Sequence, residues 1–296
     1  MGMWRGGCRG CRRILRRNWP ARFQRCCISG GLPMQSFESS GVLTAFEKTG
    51  HGAPIVLLHG GEADHSMFDG LAPALAADFT VIAYDQRDSG GTRNPPSSYS
   101  LADLADDAAA LIGGLGYDRA HVFGTSLGGQ IAQVLAARHP GRIDRLILSS
   151  TWKVNRSPLD VNADVFRTLA SYRADTIANA PKIAEFFFPP DYLRVRPELI
   201  DIFRGSSRDE GQKARRGALL AQPVGADLAG FDRPTLLLAG ADDRLIPNAE
   251  TFALARDLTN VEMKTIAGVG HVASIQAPER VAEAVTAFLS SKKKAA

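Results

Sequence analysis

The sequence predicts an α/β fold, with a mostly parallel central sheet flanked by helices. Short apolar runs recur along the chain, and segments with helical periodicity separate them. Strands that alternate with helices form parallel sheets, and strands buried on both faces read as continuous apolar runs. With 296 residues, of which 45% are hydrophobic, the chain is long enough to bury a sizeable core.

Six apolar runs predict the strands, in chain order at residues 55–59, 80–85, 121–124, 146–149, 235–239 and 262–266. Apolar residues that recur every three to four positions predict helices at residues 101–115, 127–138, 249–258 and 278–289. The last helix starts at Pro278, a residue that is favoured in the first helical turn. Each of these helices follows a predicted strand, which is the order that parallel pairing requires.

Residues 152–228 break this alternation. They contain helical pieces and several prolines, and no apolar run in them matches the strand runs in quality. We therefore predict that they form an inserted helical lid, and that residues 34–151 and 229–291 form the α/β core on either side of it. The basic C-terminal end, residues 292–296, is expected to be solvated.

The charge of the chain is concentrated at its N-terminus. Residues 1–33 contain eight arginines and no acidic residue, so the net charge of +4 becomes −4 from Met34 onward, where 27 basic residues face 31 acidic ones. A mildly acidic body argues against a nucleic-acid partner, and no apolar run approaches the length of a membrane span. We expect residues 1–33 to form a disordered tail. A transit peptide and a true start at Met34 are alternatives.

All four cysteines lie in the same tail. A structural zinc site there is disfavoured, because Cys26 and Cys27 are adjacent and make a poor chelating pair. The rest of the chain has no cysteine, so disulfides do not support its fold. This composition fits a protein of the reducing cytoplasm.

The motif Gly-Thr-Ser-Leu-Gly, at residues 124–128, follows a predicted strand and opens a predicted helix. A serine at such a turn takes a strained backbone conformation, and the flanking glycines let strand and helix pass closely. The hydroxyl of Ser126 then projects into open space, with the N–H of Leu127 beside it at a helix N-terminus. Glycine and serine are also common in ordinary turns. A catalytic prediction therefore needs a base, an acid and a second oxyanion donor.

His271 is the best candidate for the base, which a weakly nucleophilic serine hydroxyl needs within hydrogen-bonding distance. It lies between the last predicted strand and the last predicted helix, whereas His59 and His121 lie at strand ends. The loop after the preceding strand offers two acids that could orient it, Asp242 and Asp243. The resulting order of serine, aspartate and histidine is the one associated with this kind of turn.

With these residues the chain resembles the α/β-hydrolase superfamily over about residues 40–290. The family loop Gly-x-x-Asp-x-x-x-Pro matches residues 240–247, which favours Asp243 over Asp242 as the acid. The resemblance also implies that Gly61, after a His-Gly pair that follows an early strand, supplies the second oxyanion N–H beside that of residue 127.

Residues 84–92 are similar to the family loop Asp-x-Arg-Gly-x-Gly-x-Ser, except that Asp88 stands where glycine is usual. Asp85 and Arg87 in this loop are interpreted as a structural ion pair rather than as catalytic groups. The departure at Asp88 indicates a local difference in the backbone.

The serine at position 126 argues against the dehalogenase and epoxide-hydrolase branches, which resemble this fold but use aspartate there. The His-Gly-Gly turn lacks the proline- and glycine-rich continuation of proline iminopeptidases and carbon–carbon bond hydrolases, and Thr125 replaces the asparagine often seen in the latter. We therefore expect a monomeric or homodimeric serine hydrolase that needs no metal or other cofactor. Its substrate would be an ester, lactone or thioester of a small, partly apolar molecule, cleaved through an acyl-enzyme.

Substrate contacts are predicted from position in the chain. The candidates are His65 near the oxyanion turn, Trp152 after the fourth predicted strand, and Phe187 in an aromatic run of the predicted lid. A substrate carboxylate could also be bound by an arginine of the lid; the candidates are Arg194, Arg196, Arg204 and Arg208.

Three alternatives to the hydrolase prediction stay open. A cofactor-free perhydrolase or acyltransferase would use the same triad with another acceptor, and a carbon–carbon bond hydrolase would use it on another bond. From another class, the fold could serve a small-molecule receptor.

Overall fold

Eight strands form one sheet in a computed structural model, which describes residues 34–291. In chain order they are β1 (Gln35–Ser39), β2 (Val42–Gly50), β3 (Ala53–Leu58), β4 (Phe79–Tyr84), β5 (Ala120–Thr125), β6 (Ile143–Ser149), β7 (Thr235–Gly240) and β8 (Val261–Ile266). Their order in space is β1-β2-β4-β3-β5-β6-β7-β8. Strand β2 pairs antiparallel with β1 and β4, and all other pairs are parallel. The predicted mostly parallel sheet is confirmed.

The described chain contains ten α-helices: α1 (Leu71–Leu75), α2 (Leu101–Gly114), α3 (Leu127–Arg138), α4 (Pro158–Tyr172), α5 (Thr176–Phe187), α6 (Pro190–Val195), α7 (Glu210–Ala218), α8 (Asn248–Ala253), α9 (Ala273–Gln276) and α10 (Pro278–Ser290). Helix α3 has the predicted bounds, and α2 and α10 each differ from the prediction by one residue. Helix α8 is shorter than predicted, because the chain continues as a 3₁₀ turn over Leu254–Asp257.

Strands β1 and β2 were not predicted from the sequence. Both are partly exposed, so neither contains the continuous apolar run that marks the buried parallel strands. They form a hairpin whose turn residues, Ser40 and Gly41, have φ of 50° and 76°. Positive φ at both central residues is the geometry that suits a tight β-hairpin.

The apolar core lies on both faces of the sheet, because alternate strand residues point to opposite sides. On β3, Val56 and Leu58 pack with the apolar residues of α2 and α3. Ile55 and Leu57 pack on the other face, with α1 and α10. The helices therefore flank the sheet, as predicted, and hold its strand ends in fixed positions.

Between β6 and β7 the chain forms α4 to α7 and several 3₁₀ turns, without a strand. We call residues 152–228 the helical segment. Its apolar side chains include Leu169 and Ile183, which belong to a cluster with Leu245 and Ile246 from the loop after β7. The helical segment thus packs beside the carboxyl edge of the sheet, and its function as a lid stays a prediction.

The predicted N-terminal tail, residues 1–33, and the basic end, residues 292–296, lie outside the described residues. The last described helix, α10, ends at Ser290. None of the described helices is both long and apolar enough to cross a membrane.

Candidate active site

Ser126 occupies a strained turn between β5 and α3. Its backbone angles are φ 54° and ψ −120°, a conformation that non-glycine residues rarely adopt. The N–H of Ser126 donates to the Ser149 carbonyl at 3.0 Å, and its own carbonyl accepts from Gly129 N–H at 2.9 Å and from the Thr151 hydroxyl at 2.8 Å. These three hydrogen bonds hold the serine in a conformation that would otherwise relax.

Two glycines let β3, β5 and α3 approach one another closely. A Cβ atom on Gly124 would overlap the carbonyl oxygen of Gly128, and a Cβ atom on Gly128 would overlap that of Leu58. Backbone carbonyls cannot move aside as flexible side chains do. Either substitution would therefore displace the helix that carries the turn.

We expect Gly128→Ala to lower the free energy of unfolding by about 3 kcal/mol, at the upper end of overpacking effects, because the added methyl group meets backbone. Gly141→Ala is the matched control, since nothing lies within 4 Å of its added Cβ, and its effect should stay within about 0.5 kcal/mol. Urea denaturation measures both. Equal stability of the two variants would contradict the close approach at Gly128.

His271 and Asp243 form a hydrogen-bonded pair. His271 Nδ1 lies 2.9 Å from Asp243 Oδ2, and the two side chains are 3% and 0% exposed. The other carboxylate oxygen, Oδ1, accepts the N–H groups of Leu245 and Ile246 at 3.0 and 2.9 Å. Oδ2 is thus directed at the imidazole, and it favours the tautomer with the proton on Nδ1. Nε2 is then the basic nitrogen.

Asp242, the alternative acid, is exposed, and its N–H donates to the carbonyl of Val269 at 2.8 Å. The structure therefore brings Asp243, and not Asp242, to His271. Ser126 follows β5, Asp243 follows β7 and His271 follows β8, so all three lie at the edge where the carboxyl ends of the parallel strands meet. Their catalytic roles stay predictions.

The His-Gly-Gly turn after β3 lies against the strained serine. A Cβ atom on Gly60 would lie 3.7 Å from the Cβ of Ser126, and one on Gly61 would lie 3.6 Å from the Leu127 side chain. Leu127 is the first residue of α3, where backbone N–H groups have no partner within the helix. Gly61 thus lies beside Leu127, next to the serine, where two oxyanion donors would have to converge. The oxyanion role of their N–H groups stays a prediction.

His59, the first residue of this turn, is fully buried. Its Nδ1 donates to the carbonyl of Gly60 at 2.8 Å, and its Nε2 accepts the N–H of Gln86 at 3.2 Å. Burial, and next the charge of Arg216, lower the pKa of His59 to about 3. His59 is therefore a neutral side chain that fixes the shape of the turn.

His65 is buried and pairs with Asp85. Its Nδ1 and its backbone N–H lie 2.7 and 2.8 Å from Asp85 Oδ1, and its Nε2 lies 3.5 Å from the carboxylate of Glu47. Burial lowers the pKa of His65, but the hydrogen bond and charge of Asp85 outweigh burial and raise it. The pair joins the loop after β3 to the end of β4. A contact of His65 with substrate stays a prediction.

We expect the stability of the protein to depend on the protonation of His65. Its folded pKa lies above the unfolded value of about 6.5, so its contribution is fully present below that pH and is lost as pH rises through the folded pKa. His65→Asn keeps an N–H donor for Asp85 but does not titrate. Urea unfolding is measured above about pH 5, where Asp85 is ionised. The free energy of unfolding of the wild type should exceed that of His65→Asn by an amount that shrinks as pH rises. A difference that is constant with pH would contradict this expectation.

Asp64, His65 and Asp85 bring possible metal-ligand atoms within 4.8 Å of one another. Hydrogen bonds already use several of these atoms, because Asp85 Oδ1 accepts from His65 and Asp64 Oδ1 accepts from the N–H and hydroxyl of Ser66. We interpret the cluster as a hydrogen-bonded anchor of the loop.

Phe187 and Trp152 are both packed against other side chains. The ring of Phe187 meets that of His271 edge-on at 5.7 Å and lies 4.8 Å from Phe203. Trp152 is 3% exposed and donates its indole N–H to the carbonyl of Arg156 at 2.9 Å. Phe187 therefore borders the imidazole directly. Substrate contacts of both residues stay predictions.

The predicted ion pair between Asp85 and Arg87 is wrong. Asp85 pairs with His65, as described above, and Arg87 forms a bidentate ion pair with Asp107 on α2 at 2.7 and 2.8 Å. Both side chains thus pair with partners 20 positions away in sequence rather than with each other.

Asp88 explains the departure of its loop from the family pattern. It has φ 56°, in the left-handed region where glycine is favoured, and its side chain is 3% exposed. Arg215 on α7 donates to both of its carboxylate oxygens at 2.7 and 2.8 Å. The aspartate therefore occupies a position suited to glycine because it pairs with the helical segment.

Arginines of the helical segment bind the loops that follow β3 and β4. Arg173 pairs with the carboxylate of Glu62, and Arg215 pairs with that of Asp88. Arg208 donates to the carbonyls of Ala63 and Asp88 and to the hydroxyl of Ser89. Arg216 donates to the carbonyl of Gly61. The other three candidates for carboxylate binding, Arg194, Arg196 and Arg204, form exposed ion pairs with Asp191, Glu198 and Asp201. Each of these arginines is thus paired with a group of the protein itself rather than directed at a substrate carboxylate.

Known proteins share both sequence and structure with this chain. Residues 53–278 match the family model of the alpha/beta hydrolase fold. RutD of Caulobacter sp. (strain K31), to which carbamate hydrolysis is provisionally ascribed, is 32% identical over 227 residues, which cover 74% of this chain and 84% of RutD.

Two solved structures are also similar to it. A thermophilic esterase from Thermogutta terrifontis has a TM-score of 0.74 and 28% identity, over 87% of this chain and 98% of the esterase. The enol-lactonase from Burkholderia xenovorans LB400 has a TM-score of 0.75 and 25% identity, over 87% of this chain and all of the lactonase. With the strand order and the strained serine turn, these similarities show that the chain belongs to the α/β-hydrolase fold family and is a hydrolase of that fold.

Proposed function

We propose that the protein is a serine hydrolase that cleaves a carboxylic ester or lactone of a small, partly apolar molecule through an acyl-enzyme. The observation that carries the proposal is the strained Ser126 at the same sheet edge as the buried pair of Asp243 and His271. A serine becomes an effective nucleophile when an oriented imidazole can take its proton.

In the first half of the reaction, the Ser126 hydroxyl attacks the substrate carbonyl and His271 Nε2 takes its proton. Asp243 stabilises the resulting imidazolium through Nδ1. The N–H groups of Gly61 and Leu127 hold the oxyanion. Collapse of this intermediate breaks the bond to the leaving alcohol, which receives the proton from His271, and leaves an acyl group on the serine.

In the second half, water attacks the acyl-enzyme by the same route. His271 takes a proton from the water, the oxyanion forms again, and collapse returns the proton to Ser126 and releases the acid. With a lactone, the leaving alcohol stays covalently attached to the acyl group, so hydrolysis yields one hydroxy acid. Each step is assigned to a protein group, so the proposal requires no metal or other cofactor.

The surroundings of His271 support an apolar substrate. The ring of Phe187 meets the imidazole edge-on and packs against that of Phe203, and both phenylalanines come from the helical segment. Apolar and aromatic linings with a few polar groups are typical of small-molecule sites. We propose that the helical segment acts as the lid and forms the pocket for the acyl or leaving group.

Carbamate cleavage is a second candidate, favoured by the similarity to RutD. A carbamate presents the same type of carbonyl to Ser126, and its tetrahedral intermediate needs the same oxyanion donors. The esterase and enol-lactonase similarities favour carbon–oxygen cleavage instead. Substrate preference therefore has to be measured across these classes.

The test is a substrate panel combined with labelling of the nucleophile. Short p-nitrophenyl esters, γ-butyrolactone, a thioester and an aryl carbamate are each assayed, and a fluorophosphonate probe is located by mass spectrometry. We expect turnover of an ester or lactone, and a label on Ser126 that abolishes it. Heat-unfolded protein is the control for nonspecific labelling. Activity that survives complete labelling, or a wild type that neither turns over substrate nor reacts with the probe, would refute the proposal.

The acceptor of the acyl group is tested separately. Product analysis with water, hydrogen peroxide and a short alcohol present together shows which one deacylates the enzyme. We expect the carboxylic acid as the main product. A peracid or a new ester as the main product would favour the perhydrolase or acyltransferase alternative.

A further inference from the structure

Arg216, on α7, places a buried guanidinium in contact with the predicted oxyanion turn. The residue is 7% exposed. One terminal nitrogen, Nη2, donates to the carbonyl of Gly61 and to Gln86 Oε1, each at 3.1 Å. The other, Nη1, donates to Gln86 Oε1 at 3.1 Å and to the carbonyl of Arg87 at 3.3 Å. All of these acceptors are neutral.

Within residues 34–291, no carboxylate forms an ion pair with Arg216. The nearby carboxylate of Asp88 is bound by Arg215 through both oxygens, and Arg216 Nε has no hydrogen-bond partner among the described residues. Burial, and next the charge of Arg208, lower the pKa of Arg216 to about 10, so the group is still charged at neutral pH. A buried charge without a directly paired carboxylate is costly, and groups with perturbed pKa values are concentrated at functional sites.

The guanidinium contacts the oxyanion turn by two routes. It binds the carbonyl of Gly61 directly, and it binds Gln86, whose side-chain N–H donates to the carbonyl of His59 at 2.9 Å. Gly61 in turn lies against Leu127, next to the strained serine. Arg216 therefore holds the carbonyls at both ends of the His-Gly-Gly turn, one directly and one through Gln86.

We propose that Arg216 is a positioning residue for the oxyanion turn, and that its charge is the counter-charge of the anion that forms when Ser126 attacks a carbonyl. This inference rests on the proposed serine-hydrolase function. The substrate carbonyl is neutral before attack, so a charge–charge attraction between it and Arg216 arises only once the oxyanion has formed. An interaction that is stronger in the transition state than in the ground state raises kcat rather than lowering KM.

The first test replaces the charge. We expect Arg216→Gln to lower kcat for a p-nitrophenyl ester by about 10²-fold, in the range for loss of one oxyanion-stabilising group, with KM changed by less than about threefold. Arg216→Lys keeps the charge without the planar fork and should recover roughly tenfold of the loss. Arg167→Gln, at an exposed arginine of the same segment, is the control and should leave both constants unchanged. Thermal unfolding of each variant is measured alongside.

A second pair of variants leaves Arg216 in place. Gln86→Glu gives the guanidinium a permanent counter-charge, and Gln86→Met removes the same hydrogen bonds without adding charge. We expect kcat of the glutamate variant to fall at least roughly tenfold below that of the methionine variant. This comparison also tests the proposal if Arg216→Gln does not fold. Equal kcat for the two Gln86 variants would overturn it, as would equal losses for Arg216→Gln and Arg216→Lys at equal unfolding temperatures.

The rate of reaction with a fluorophosphonate separates this inference from the proposed function. When the serine oxygen attacks the probe, negative charge develops on the phosphoryl oxygen, and fluoride then leaves to give a neutral phosphonate ester on the serine. The reaction does not depend on knowing the substrate. If the wild type does not react, the serine-hydrolase function and this inference both fail. If the wild type reacts and Arg216→Gln reacts equally fast, only the role of Arg216 fails. We expect the variant to react at least about tenfold more slowly than the wild type.

Discussion

Replacement of Ser126 by alanine should lower turnover of a short p-nitrophenyl ester by roughly 10⁴-fold or more, because the nucleophile is lost and only binding and the oxyanion donors remain. Alanine keeps the Cβ atom at φ 54°, so the strain of the turn is unchanged. Steady-state kinetics measure the loss, and circular dichroism during heating should show an unfolding temperature close to that of the wild type.

Ser150→Ala is the matched control. Ser150 is another buried serine with a positive φ, 45°, and it directly follows the neighbouring strand β6. We expect its replacement to leave turnover within about twofold of the wild type. Turnover retained by the folded Ser126→Ala variant would exclude an acyl-enzyme at this residue, and equal losses in both variants would point to damage of the sheet edge.

Asp243→Asn should lower kcat/KM by about 10⁴-fold, the magnitude known for the same exchange in a serine protease triad. The backbone N–H groups of Leu245 and Ile246 already bind Oδ1 of this side chain. The amide of asparagine would turn its oxygen to them and its NH₂ group to His271 Nδ1. The imidazole proton would then move to Nε2, where it blocks the abstraction of a proton from Ser126.

Asp242→Asn is the control for this prediction. Its side chain is exposed, so a loss within about twofold is expected. The kcat/KM values of both variants are measured over a range of pH. A larger loss at Asp242 than at Asp243 would reverse the assignment of the acid, and small losses at both would remove the triad from the proposed mechanism.

The parallel strands β3 to β7 could be predicted because burial leaves a continuous apolar run, as in residues 235–239. Strand β8 does not fit this explanation, because its residues 262–265 are exposed. The hairpin β1–β2 could not be predicted in this way, because partly exposed antiparallel strands mix polar and apolar residues. Helix bounds were predicted best for α3, where the serine turn fixes the start. They were predicted least well for α8, which changes to a 3₁₀ turn after Ala253.

The residues of the candidate site likewise fall into those that the sequence could predict and those that it could not. Local motifs located Ser126 and His271, because each lies on a short loop directly after a strand. Long-range partners carried no comparable signal. Asp88 and Arg215 are 127 positions apart, and an arginine in a helix is most often solvated, so nothing in the sequence marks either as half of a buried ion pair. The contact of Arg216 with Gly61 is hidden for the same reason.

The ion pair between Arg215 and Asp88 limits how the helical segment can be exchanged between relatives. Exchange of the helical segment for that of a relative would leave Asp88 buried, charged and strained, without its cation. Conversely, replacement of Asp88 by glycine, with the helical segment unchanged, would leave Arg215 without its carboxylate acceptor. A functional chimera would therefore have to carry residues 84–92 and the helical segment together, and natural lineages should have gained or lost the two as one unit.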